Sequence, residues 1–549
     1  MPAEAWRRYR PFPPVDLPDR TWPSKTIDRA PMWCSVDLRD GNQALVEPMG
    51  VEEKLELFRL LVGIGFKEIE VAFPSASEIE FSFVRTLIDG GMIPDDVTIQ
   101  VLTQARENLI RRTFEAIRGA KNAIVHLYNS TSTLQRRVVF GMDEDGITRL
   151  AVNGTKLIRE LADSMPETNV RLEYSPESFT GTELPFALRI CSEVAEAWGP
   201  TQEKPMIVNL PSTVEMGTPN IYADQIEWMH RNLPNREAIV LSVHTHNDRG
   251  TAVASSELAM MAGADRVEGT IFGYGERTGN VDLVTLALNM MSQGVDPQLD
   301  LSDLPRIIET VYRLTDNPIH PRHPYAGELV FTAFSGSHQD AINKGMQSLS
   351  GAFWEVPYLT IDPRDVGRTF EAIIRVNSQS GKGGVAWVLR LEHGLELPKA
   401  MQPEFAQVVQ KIAEKTQTEV KPDAIWQAFR AEYLDRNTPF ELVDASITLP
   451  EPDCVDLNVH LRVNGEERTM SAQANGPIEA LVRILQDAGA APFEVVSFRE
   501  HSIGAGASAR AAAYVALRSG DKERFGAGLD ENTTLASLRA VVSAANRLA

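Results

Sequence analysis

Short apolar runs alternate with longer amphipathic stretches between about residue 30 and residue 285. The apolar runs lie near residues 33–37, 68–72, 97–102, 122–127, 170–174, 206–210, 238–244 and 266–271. Between them, stretches such as 51–62, 105–118, 147–165, 184–198 and 252–261 carry helical patterns. This alternation predicts parallel strands joined by crossover helices. Eight strands in roughly 240 residues are the number that a (β/α)8 barrel needs.

An open, doubly wound parallel sheet would show the same alternation, so the strand count does not decide between the two folds. The positions of polar residues favour the barrel. Such residues stand at or just after the ends of separate predicted strands: Asp40, His126, Glu177, Thr213, His246 and Asn280. The C-terminal ends of barrel strands converge on one mouth, whereas those of an open sheet spread along an edge. We therefore predict a TIM barrel of the α/β class.

The chain after the barrel changes character twice. Residues 306–438 are mostly helical in pattern, with a loop-rich stretch from 357 to 384, and we predict a helical linker region there. Residues 439–549 contain predicted strands at 455–463, 467–474, 494–503 and 510–518 and helices at 478–488 and 535–548. This strand-strand-helix unit, written twice, predicts a small α+β domain. An extended N-terminal arm at 1–30 and the barrel at 31–305 complete the predicted organisation.

Charge and cysteine content narrow the function classes. The 549 residues include 54 Lys and Arg against 75 Asp and Glu, a net charge of −21, which argues against a nucleic-acid partner because phosphate contacts need clustered positive charge. An anionic substrate would need cations or a metal within its own site. The three cysteines are odd in number and far apart, which favours a reducing compartment. With no apolar run of about 18 residues and no secretory signal, we expect a cytoplasmic chain without a membrane segment.

The strongest chemical signal is the pair His244 and His246 at the end of the seventh predicted strand. Residues i and i+2 of a strand point to the same face, so both imidazoles can reach one ion. Asp40 after the first strand and Asn280 after the eighth add a carboxylate and an amide oxygen. A mixed nitrogen and oxygen set without thiolate suits Mg²⁺, Mn²⁺ or Zn²⁺ in a site with open positions. The alternative is a chance pairing of two histidines in a polar loop.

Three segments together resemble a known superfamily: LRDGNQ at 38–43, HTHND at 244–248 and GYGERTGN at 273–280. They are similar to the metal-dependent 2-oxo-acid acyltransferases and lyases that are built on a TIM barrel. The chain most resembles the longer form of the 2-isopropylmalate synthase family, over nearly its whole length. Asp37 and Asn42 stand where the wider superfamily usually has Thr and Glu, which favours the longer-form synthases over the shorter ones and over the lyases.

The resemblance implies that acetyl-CoA is condensed with the 2-oxo acid 3-methyl-2-oxobutanoate and water to give 2-isopropylmalate and CoA. This is the first committed step of leucine biosynthesis, and the resemblance implies inhibition by leucine. It also implies a divalent cation, with Mg²⁺ favoured over Mn²⁺ and Zn²⁺, at Asp40, His244, His246 and Asn280. Arg39 would stabilise the developing oxyanion, although by itself it could also be a salt bridge at the barrel mouth.

The same resemblance implies residues for the proton transfer. Glu177 resembles the barrel glutamate of the family, while His338 and Tyr358 resemble a pair that reaches the active site of the partner subunit, so a homodimer is expected. Which of these three residues abstracts the proton from the acetyl methyl group stays open. Without the resemblance, His338 would be a histidine at a helix start and Tyr358 a buried loop tyrosine.

Two further sets of residues follow from the resemblance. The substrate pocket is expected to contain Leu102, Ser175 and Asn209 at the side chain of the 2-oxo acid, and Thr213 and His126 around its carboxylate and the ligands. The leucine site is expected at the turn that contains Ile503, Gly504 and Gly506, where backbone N–H groups could approach a carboxylate. The alternative for that turn is a simple connection between two strands.

Three rival functions stay open. Homocitrate and citramalate synthases differ from the expected enzyme only in the 2-oxo acid that they accept, and one methylene in such a pocket changes binding by only about 1–3 kcal/mol. Lyases of the superfamily usually lack a C-terminal sensor domain. A non-catalytic regulator that binds an amino acid would have no need of the metal-ligand set.

Overall fold

The computed structural model describes residues 5–351, 353–370, 382–416, 420, 422–451, 454–504 and 509–549. The chain forms two compact units. The first spans Met1–Val330 and Ile361–Thr369, and the second spans Phe331–Thr360 and Phe370–Ala549. Arg368 ties the short returning segment to the first unit, because its guanidinium donates to the carbonyl oxygens of Tyr325 and Gly327 at 3.0 and 2.8 Å. The functional boundaries expected at residues 30, 305 and 438 stay a prediction.

The first unit is built around a barrel of eight strands. They are β1 Met32–Ser35, β2 Glu68–Ala72, β3 Thr98–Gln104, β4 Asn122–Ser130, β5 Asn169–Glu177, β6 Met206–Ser212, β7 Ile239–Thr245 and β8 Arg266–Gly269. Each strand pairs in parallel with its neighbours in chain order, and β8 pairs with β1 to close the barrel. The strand count is confirmed, and the closure confirms the barrel over the open sheet. Strands that are covered on both faces are rich in apolar residues, so the sequence pattern predicted these eight strands.

Helices follow the strands. They are α1 Val51–Ile64, α2 Glu78–Asp89, α3 Glu107–Ile117, α4 Thr133–Gln135, α5 Glu144–Asp163, α6 Leu184–Trp198, α7 Pro219–Asn232, α8 Ala252–Met261, α9 Leu283–Ser292 and α10 Leu304–Thr315. In α1, Leu57, Phe58 and Leu61 are buried while Glu52 and Arg59 are exposed. This three- and four-residue spacing gives the helix one apolar face to pack inward.

The interior of the barrel contains a group of buried charged side chains. Five side chains of β2, β5 and β8 are at most 5% exposed: Glu68, Glu70, Glu173, Arg266 and Glu268. Arg266 donates from Nε to Glu68 at 2.6 Å and from Nη1 to Glu268 at 2.8 Å. Because an unpaired charge is costly in such a place, these contacts favour the strand register in which every charged group finds its partner.

The N-terminal segment lies along α7. The backbone N–H groups of Thr21 and Trp22 donate to the carboxylate of Glu227 at 2.9 and 3.1 Å. The Trp22 indole and the Arg20 guanidinium both donate to Asp224 at 2.8 Å. These contacts hold the end of the arm against the barrel unit.

The second unit begins with helices and ends in an α+β domain. Its helices are α11 Gly336–Ser348, α12 Lys382–His393, α13 Gln402–Thr416, α14 Pro422–Phe429, α15 Pro477–Asp487 and α16 Thr533–Leu548. Its strands are β9 Phe440–Glu451, β10 Cys454–Val463, β11 Glu466–Ala474, β12 Glu494–Ile503, β13 Arg510–Ser519 and β14 Lys522–Asp530. They form two antiparallel sheets, in the orders β11-β10-β9 and β12-β13-β14. In the described part of the chain, no helix has both the length and the apolar composition to cross a membrane.

Each half of the α+β domain has three strands and a helix, so the predicted strand-strand-helix unit is wrong by one strand. The edge strand β9 exposes the apolar residues Val443, Ile447 and Leu449. Together with the polar residues between them, these exposed positions obscure the regular alternation that predicts a strand. β14 contains Gly526 and Gly528, which weaken a strand signal. A Cβ on Gly526 would lie 2.2 Å from a carbonyl oxygen of α16. The glycines therefore allow close packing of the helix, and tertiary contact rather than local propensity makes this segment a strand.

Candidate active site

A cavity of about 300 Å³ lies where the C-terminal ends of the barrel strands converge. It is lined by Arg39, Asp40, Gln43, Phe73, Leu102, His126, Tyr128, Ser175, Glu177, Asn209, Pro211, Thr213, His244, His246, Glu276 and Arg277. The residues that the sequence predicted for the barrel part of the site are in this set, apart from Asn280, which contacts the lining residue Asp40. Barrel closure therefore brings residues from the ends of all eight strands, or from the loops after them, into one cavity.

Asp40, His244 and His246 form a compact cluster. Asp40 lies in the five-residue helical turn Asp37–Gly41 after β1. His244 and His246 stand two positions apart at the end of β7, so their side chains point to the same face. Their potential ligand atoms all lie within 4.8 Å of one another, and Nε2 of His244 is 3.7 Å from Oδ2 of Asp40. All three residues are buried. A cluster of one carboxylate and two imidazoles has the donor atoms that a divalent cation requires.

Asn280 borders this cluster from the segment after β8. It pairs with His246 in an isolated backbone bridge, and its Nδ2 donates to Oδ2 of Asp40 at 2.8 Å. Its Oδ1 is buried and accepts no hydrogen bond from any described residue. A buried amide oxygen without a donor is unfavourable, and a cation would satisfy it. The four predicted ligands therefore fit a divalent metal, with Asn280 at the edge of the cluster.

The two histidines of the cluster have pKa values that are shifted in opposite directions. Burial alone would lower the pKa of His244. Asp40 and Glu268 outweigh this effect, because both accept hydrogen bonds from His244 and both carry negative charge, and they raise the pKa to about 9. Burial and the neighbouring charge of His244 lower the pKa of His246 to about 4. Although burial opposes ionisation of Asp40, the charge of Arg39 holds the pKa of this carboxyl far below its usual range. The carboxylates of Asp40 and Glu268 therefore favour the protonated form of His244, whereas His246 favours the neutral form.

Arg39 lines the cavity between the buried Glu70 and the cluster residue Asp40. Its Nη1 donates to Asp40 at 2.8 Å and its Nε to Glu70 at 2.5 Å. Burial opposes the charged form, yet Glu70 and Asp40 raise the pKa of Arg39 above its ordinary value. The guanidinium is therefore both charged and held in place beside the cluster.

Three of the residues predicted for the 2-oxo acid, His126, Ser175 and Asn209, form a hydrogen-bonded row. His126 bonds to Glu70 through Nδ1 and to the Ser175 hydroxyl through Nε2, both at 2.7 Å. Asn209 donates from Nδ2 to the same hydroxyl at 3.0 Å and to Glu268 at 3.2 Å. Leu102 adds an apolar surface to the same cavity. These side chains are positioned by partners deeper in the barrel, so the row is fixed before any ligand arrives.

Glu177 and Thr213 lie further along the same two strands, beyond Ser175 on β5 and beyond Asn209 on β6. Glu177 ends β5 and accepts a hydrogen bond from the Ser130 hydroxyl at the end of β4. The Thr213 hydroxyl accepts from the backbone N–H of Ser178 at 2.9 Å, and the Thr213 carbonyl oxygen accepts from Arg277. Both functional groups therefore lie beside strand-end loops at the mouth.

Sequence reasoning missed the buried charges beneath the cavity. Glu268 accepts from Gln100 and contacts His244 Nδ1, each at 3.0 Å, and so orients one of the candidate ligands. Burial and the neighbouring carboxylates raise the pKa of Glu173 well above its ordinary value, which favours a neutral carboxyl there. The signal for these residues was present: Glu68 and Glu70, and Arg266 and Glu268, stand two apart inside apolar strands and so share a face.

The second unit holds the other two predicted catalytic residues. His338 lies in the first turn of α11, and Tyr358 lies in the loop after it with a positive φ of 66°. Their rings stack with centroids 4.1 Å apart. Tyr358 is 64% exposed, so the alternative of a buried loop tyrosine is wrong. The structure thus brings the predicted pair together, and it leaves the tyrosine accessible.

The predicted leucine turn follows β12 in the same unit. Ile503 ends the strand, and Gly504 adopts a φ of 86°, which only glycine adopts readily. Gly506 lies outside the described residues. The Cβ of a side chain at Gly394 would lie 3.0 Å from Ile503, so the segment after α12 packs closely against the end of β12. His501 adds a hydrogen bond in the same place, since its Nε2 accepts from the backbone N–H of Glu396 at 3.0 Å.

Comparison with known families assigns three parts of the chain. Residues 30–311 match a family model described as HMGL-like. Residues 328–390 match one described as the post-catalytic domain of alpha-isopropylmalate synthase, and residues 419–549 match one described as the LeuA allosteric (dimerisation) domain. The first match covers the barrel, and the last covers the α+β domain.

Full-length relatives agree with these matches. The chain is 56% identical over 555 residues to a 2-isopropylmalate synthase of Parafrankia sp. (strain EAN1pec), covering 100% of this chain and 98% of the relative. It is 55% identical to a 2-isopropylmalate synthase of Rhodospirillum rubrum, covering 100% of both chains. It is 57% identical to one of Ralstonia nicotianae, covering 99% of this chain and 95% of the relative.

We expect Glu268→Gln to lower the affinity for a divalent cation about 10- to 100-fold, because loss of the carboxylate removes the group that orients His244. Isothermal titration of the metal-free protein with Mn²⁺ or Mg²⁺ measures the affinity, and circular dichroism reports the fold. Glu276→Gln is the matched control, since it makes the same charge change at the cavity lining. Equal affinity in the two variants would show that Glu268 does not orient the ligand.

Proposed function

The chain belongs to the 2-isopropylmalate synthase family over its whole length, and on this premise we propose that its barrel cavity condenses acetyl-CoA with 3-methyl-2-oxobutanoate. Water then cleaves the thioester, which releases CoA and leaves 2-isopropylmalate. The observation that carries this assignment is the buried cluster of Asp40, His244 and His246 beside the charged Arg39 in one cavity.

The HMGL-like superfamily is divalent-metal dependent, and this chain has a buried His and Asp cluster at the barrel mouth. We propose that Asp40, His244 and His246 hold the metal and that the amide oxygen of Asn280 completes or supports the set. Membership of the family favours Mg²⁺, and the mixed set of two imidazole nitrogens and two oxygens also suits Mn²⁺ and Zn²⁺. When bound, such an ion supplies a Lewis acid for the ketone of a 2-oxo acid.

Arg39 and the row behind it prepare the cavity for the 2-oxo acid. The guanidinium is held by Asp40 and Glu70 and faces the place where negative charge develops on the ketone oxygen. His126 and Thr213 provide polar contacts for the substrate carboxylate. Leu102, together with the small Ser175, leaves space for a short branched side chain.

Carbon–carbon bond formation needs a base for the acetyl methyl group. The base takes a proton from this carbon, and the carbon bonds to the ketone carbon of the 2-oxo acid while the π bond of the ketone breaks. The resulting alkoxide oxygen then takes up a proton from an acid of the site and becomes a hydroxyl. Glu177 lies at the mouth of the cavity, and His338 and Tyr358 form the stacked pair in the second unit. We assign the proton transfer to this group of three residues.

We also propose a homodimer in which His338 and Tyr358 serve the cavity of a second copy of the chain. Residues 419–549 match a model described as a dimerisation domain, which supports self-association. The exposed tyrosine ring supports a role outside the core of its own unit. In such a dimer each cavity would depend on both copies.

We propose leucine as the effector, bound at the turn of Ile503, Gly504 and Gly506. The match of residues 419–549 to an allosteric domain supports this placement. His501 contacts Glu396 and Ile503 packs near Gly394, so the turn is in direct contact with the segment that follows α12. Inhibition then requires that leucine bind one arrangement of this contact more tightly than the other.

We expect 3-methyl-2-oxobutanoate to give a kcat/KM about tenfold or more above those of pyruvate and 2-oxoglutarate. Pyruvate leaves the space beside Leu102 empty, and 2-oxoglutarate would bury a second carboxylate there. Thiol release from acetyl-CoA in the presence of each acid measures the rates. Asp40→Asn and His244→Ala should abolish turnover, whereas the exposed control Asp316→Asn should retain it. A preference for pyruvate or 2-oxoglutarate would instead identify a citramalate or homocitrate synthase.

Mixing two inactive chains tests the shared site. Glu177→Ala damages the barrel cavity, and His338→Ala damages the second unit. Random exchange makes half of the dimers mixed, with one intact cavity in each, so we expect recovery of about one quarter of wild-type activity. The control pairs Glu177→Ala with Asp40→Ala, both in the barrel, and should recover none. Failure of the first pair to exceed the control would mean that each chain uses its own His338.

Leucine inhibition should depend on the His501 contact. We expect His501→Leu to reduce the inhibition reached at saturating leucine, because the variant loses the hydrogen bond to the Glu396 backbone that links the two segments. Activity assays with titrated leucine measure the inhibition, and calorimetry measures leucine binding. His460→Leu on β10 is the control for the same substitution elsewhere in the domain. Unchanged inhibition in His501→Leu would exclude this route.

A further inference from the structure

A second large cleft lies within the second unit. Its volume is about 750 Å³, which is in the range of cofactor sites. The first turn of α11, the segment 395–399 and Arg499 of β12 line it, and we name it the linker cleft. The same first turn of α11 carries His338.

The lining of the linker cleft is rich in cations. Arg390 is paired with Glu396 at 3.7 Å, but Lys399 and Arg499 have no carboxylate partner among the residues that the structure describes. Asp340, an acidic residue of the lining, is paired with Lys344 at 2.5 Å. In a chain with a net charge of −21, two uncompensated cations in one cleft indicate an anionic ligand.

The start of α11 strengthens this preference. The helix has 13 residues, and the side chain of its N-cap residue Ser335 makes no capping hydrogen bond. Gly336 and Ser337, the first two helical residues, line the cleft. The unsatisfied N–H groups and the helix dipole at this end favour a negative group.

Gln339 offers a buried hydrogen-bond acceptor beside the linker cleft. Its Nε2 donates to the carbonyl oxygen of Ala333 at 2.7 Å. Its Oε1 has no donor among the described residues, although the side chain is only 3% exposed and the residue lines the cleft. A buried acceptor without a partner is unfavourable, and an N–H group of a ligand would satisfy it.

We propose that the linker cleft binds the phosphate-bearing nucleotide half of acetyl-CoA. CoA combines the two features that the cleft requires, since it carries phosphates and also N–H donors in its adenine and pantetheine parts. Inorganic phosphate has the charge but lacks the N–H donor. The inference rests on the proposed function, which makes acetyl-CoA a substrate. The cleft would then hold the nucleotide close to the turn that carries His338.

Equilibrium binding to the full-length protein tests the cleft independently of turnover. We expect Lys399→Gln with Arg499→Gln to raise the Kd for CoA about tenfold or more, because the loss of one contact between a cation and a phosphate weakens binding by about that factor or more. The Kd for adenosine 3′,5′-bisphosphate should rise in parallel, and the Kd for pantetheine, which has no phosphate, should stay unchanged. Titration calorimetry with these three probes measures the values. The KM for acetyl-CoA should rise with little change in kcat.

Lys411→Gln with Arg524→Gln is the matched control, because both residues are exposed in the same unit and line neither cleft nor cavity. An unchanged CoA Kd in the Lys399 and Arg499 variant would overturn the proposal. An equal loss of pantetheine binding would also overturn it, since the effect would then be structural. Binding of inorganic phosphate as tight as that of the bisphosphate would reassign the cleft to free phosphate.

The proposed function can fail separately from the cleft. A wild-type chain that binds CoA through these cations but releases no thiol with any of the 2-oxo acids contradicts the synthase assignment and leaves the cleft supported. A wild-type chain that turns over normally while the double variant keeps its CoA affinity contradicts the cleft alone. A wild-type chain that does not bind CoA contradicts both.

Discussion

A guanidinium buried inside the barrel is the interaction on which the rest of the first unit depends. Arg266 is fully buried, and Glu68 and Glu268 accept its hydrogen bonds at 2.6 and 2.8 Å. Leaving such a charge without partners costs several kcal/mol, on the order of the stability of a whole domain. Glu68 stands almost 200 positions earlier in the chain, so the closed barrel in its observed register is what brings these charges together.

The buried glutamates also hold side chains of the cavity in place. Glu268 receives Arg266 on one carboxylate oxygen and contacts His244 with the other, which fixes the imidazole and leaves its second nitrogen near Asp40. Glu70 likewise holds both Arg39 and His126. Because Arg39, His126 and His244 are each bound by a buried glutamate beneath the cavity, this part of the cavity is preorganised rather than shaped by its ligand.

The second unit concentrates its functional features around two elements. α11 carries His338 and contributes to the linker cleft, and β12 contributes Arg499 to this cleft before it ends at the leucine turn. The segment 394–397 touches both features, through Gly394 against Ile503 and through the lining of the cleft. Effector and substrate sites would thus share one short segment, which is a physical basis for coupling between them.

The apolar runs determined the eight barrel strands and their order, and the polar residues at their ends determined which side chains meet at the mouth. Three motifs were enough to identify the family. Tertiary structure alone decided that Glu70 and Glu268 are buried partners of the site, and that β9 and β14 are strands. The reason is physical: periodicity reports which face of an element is apolar, whereas a buried charge, an exposed edge or a glycine strand is defined by contacts with residues distant in sequence.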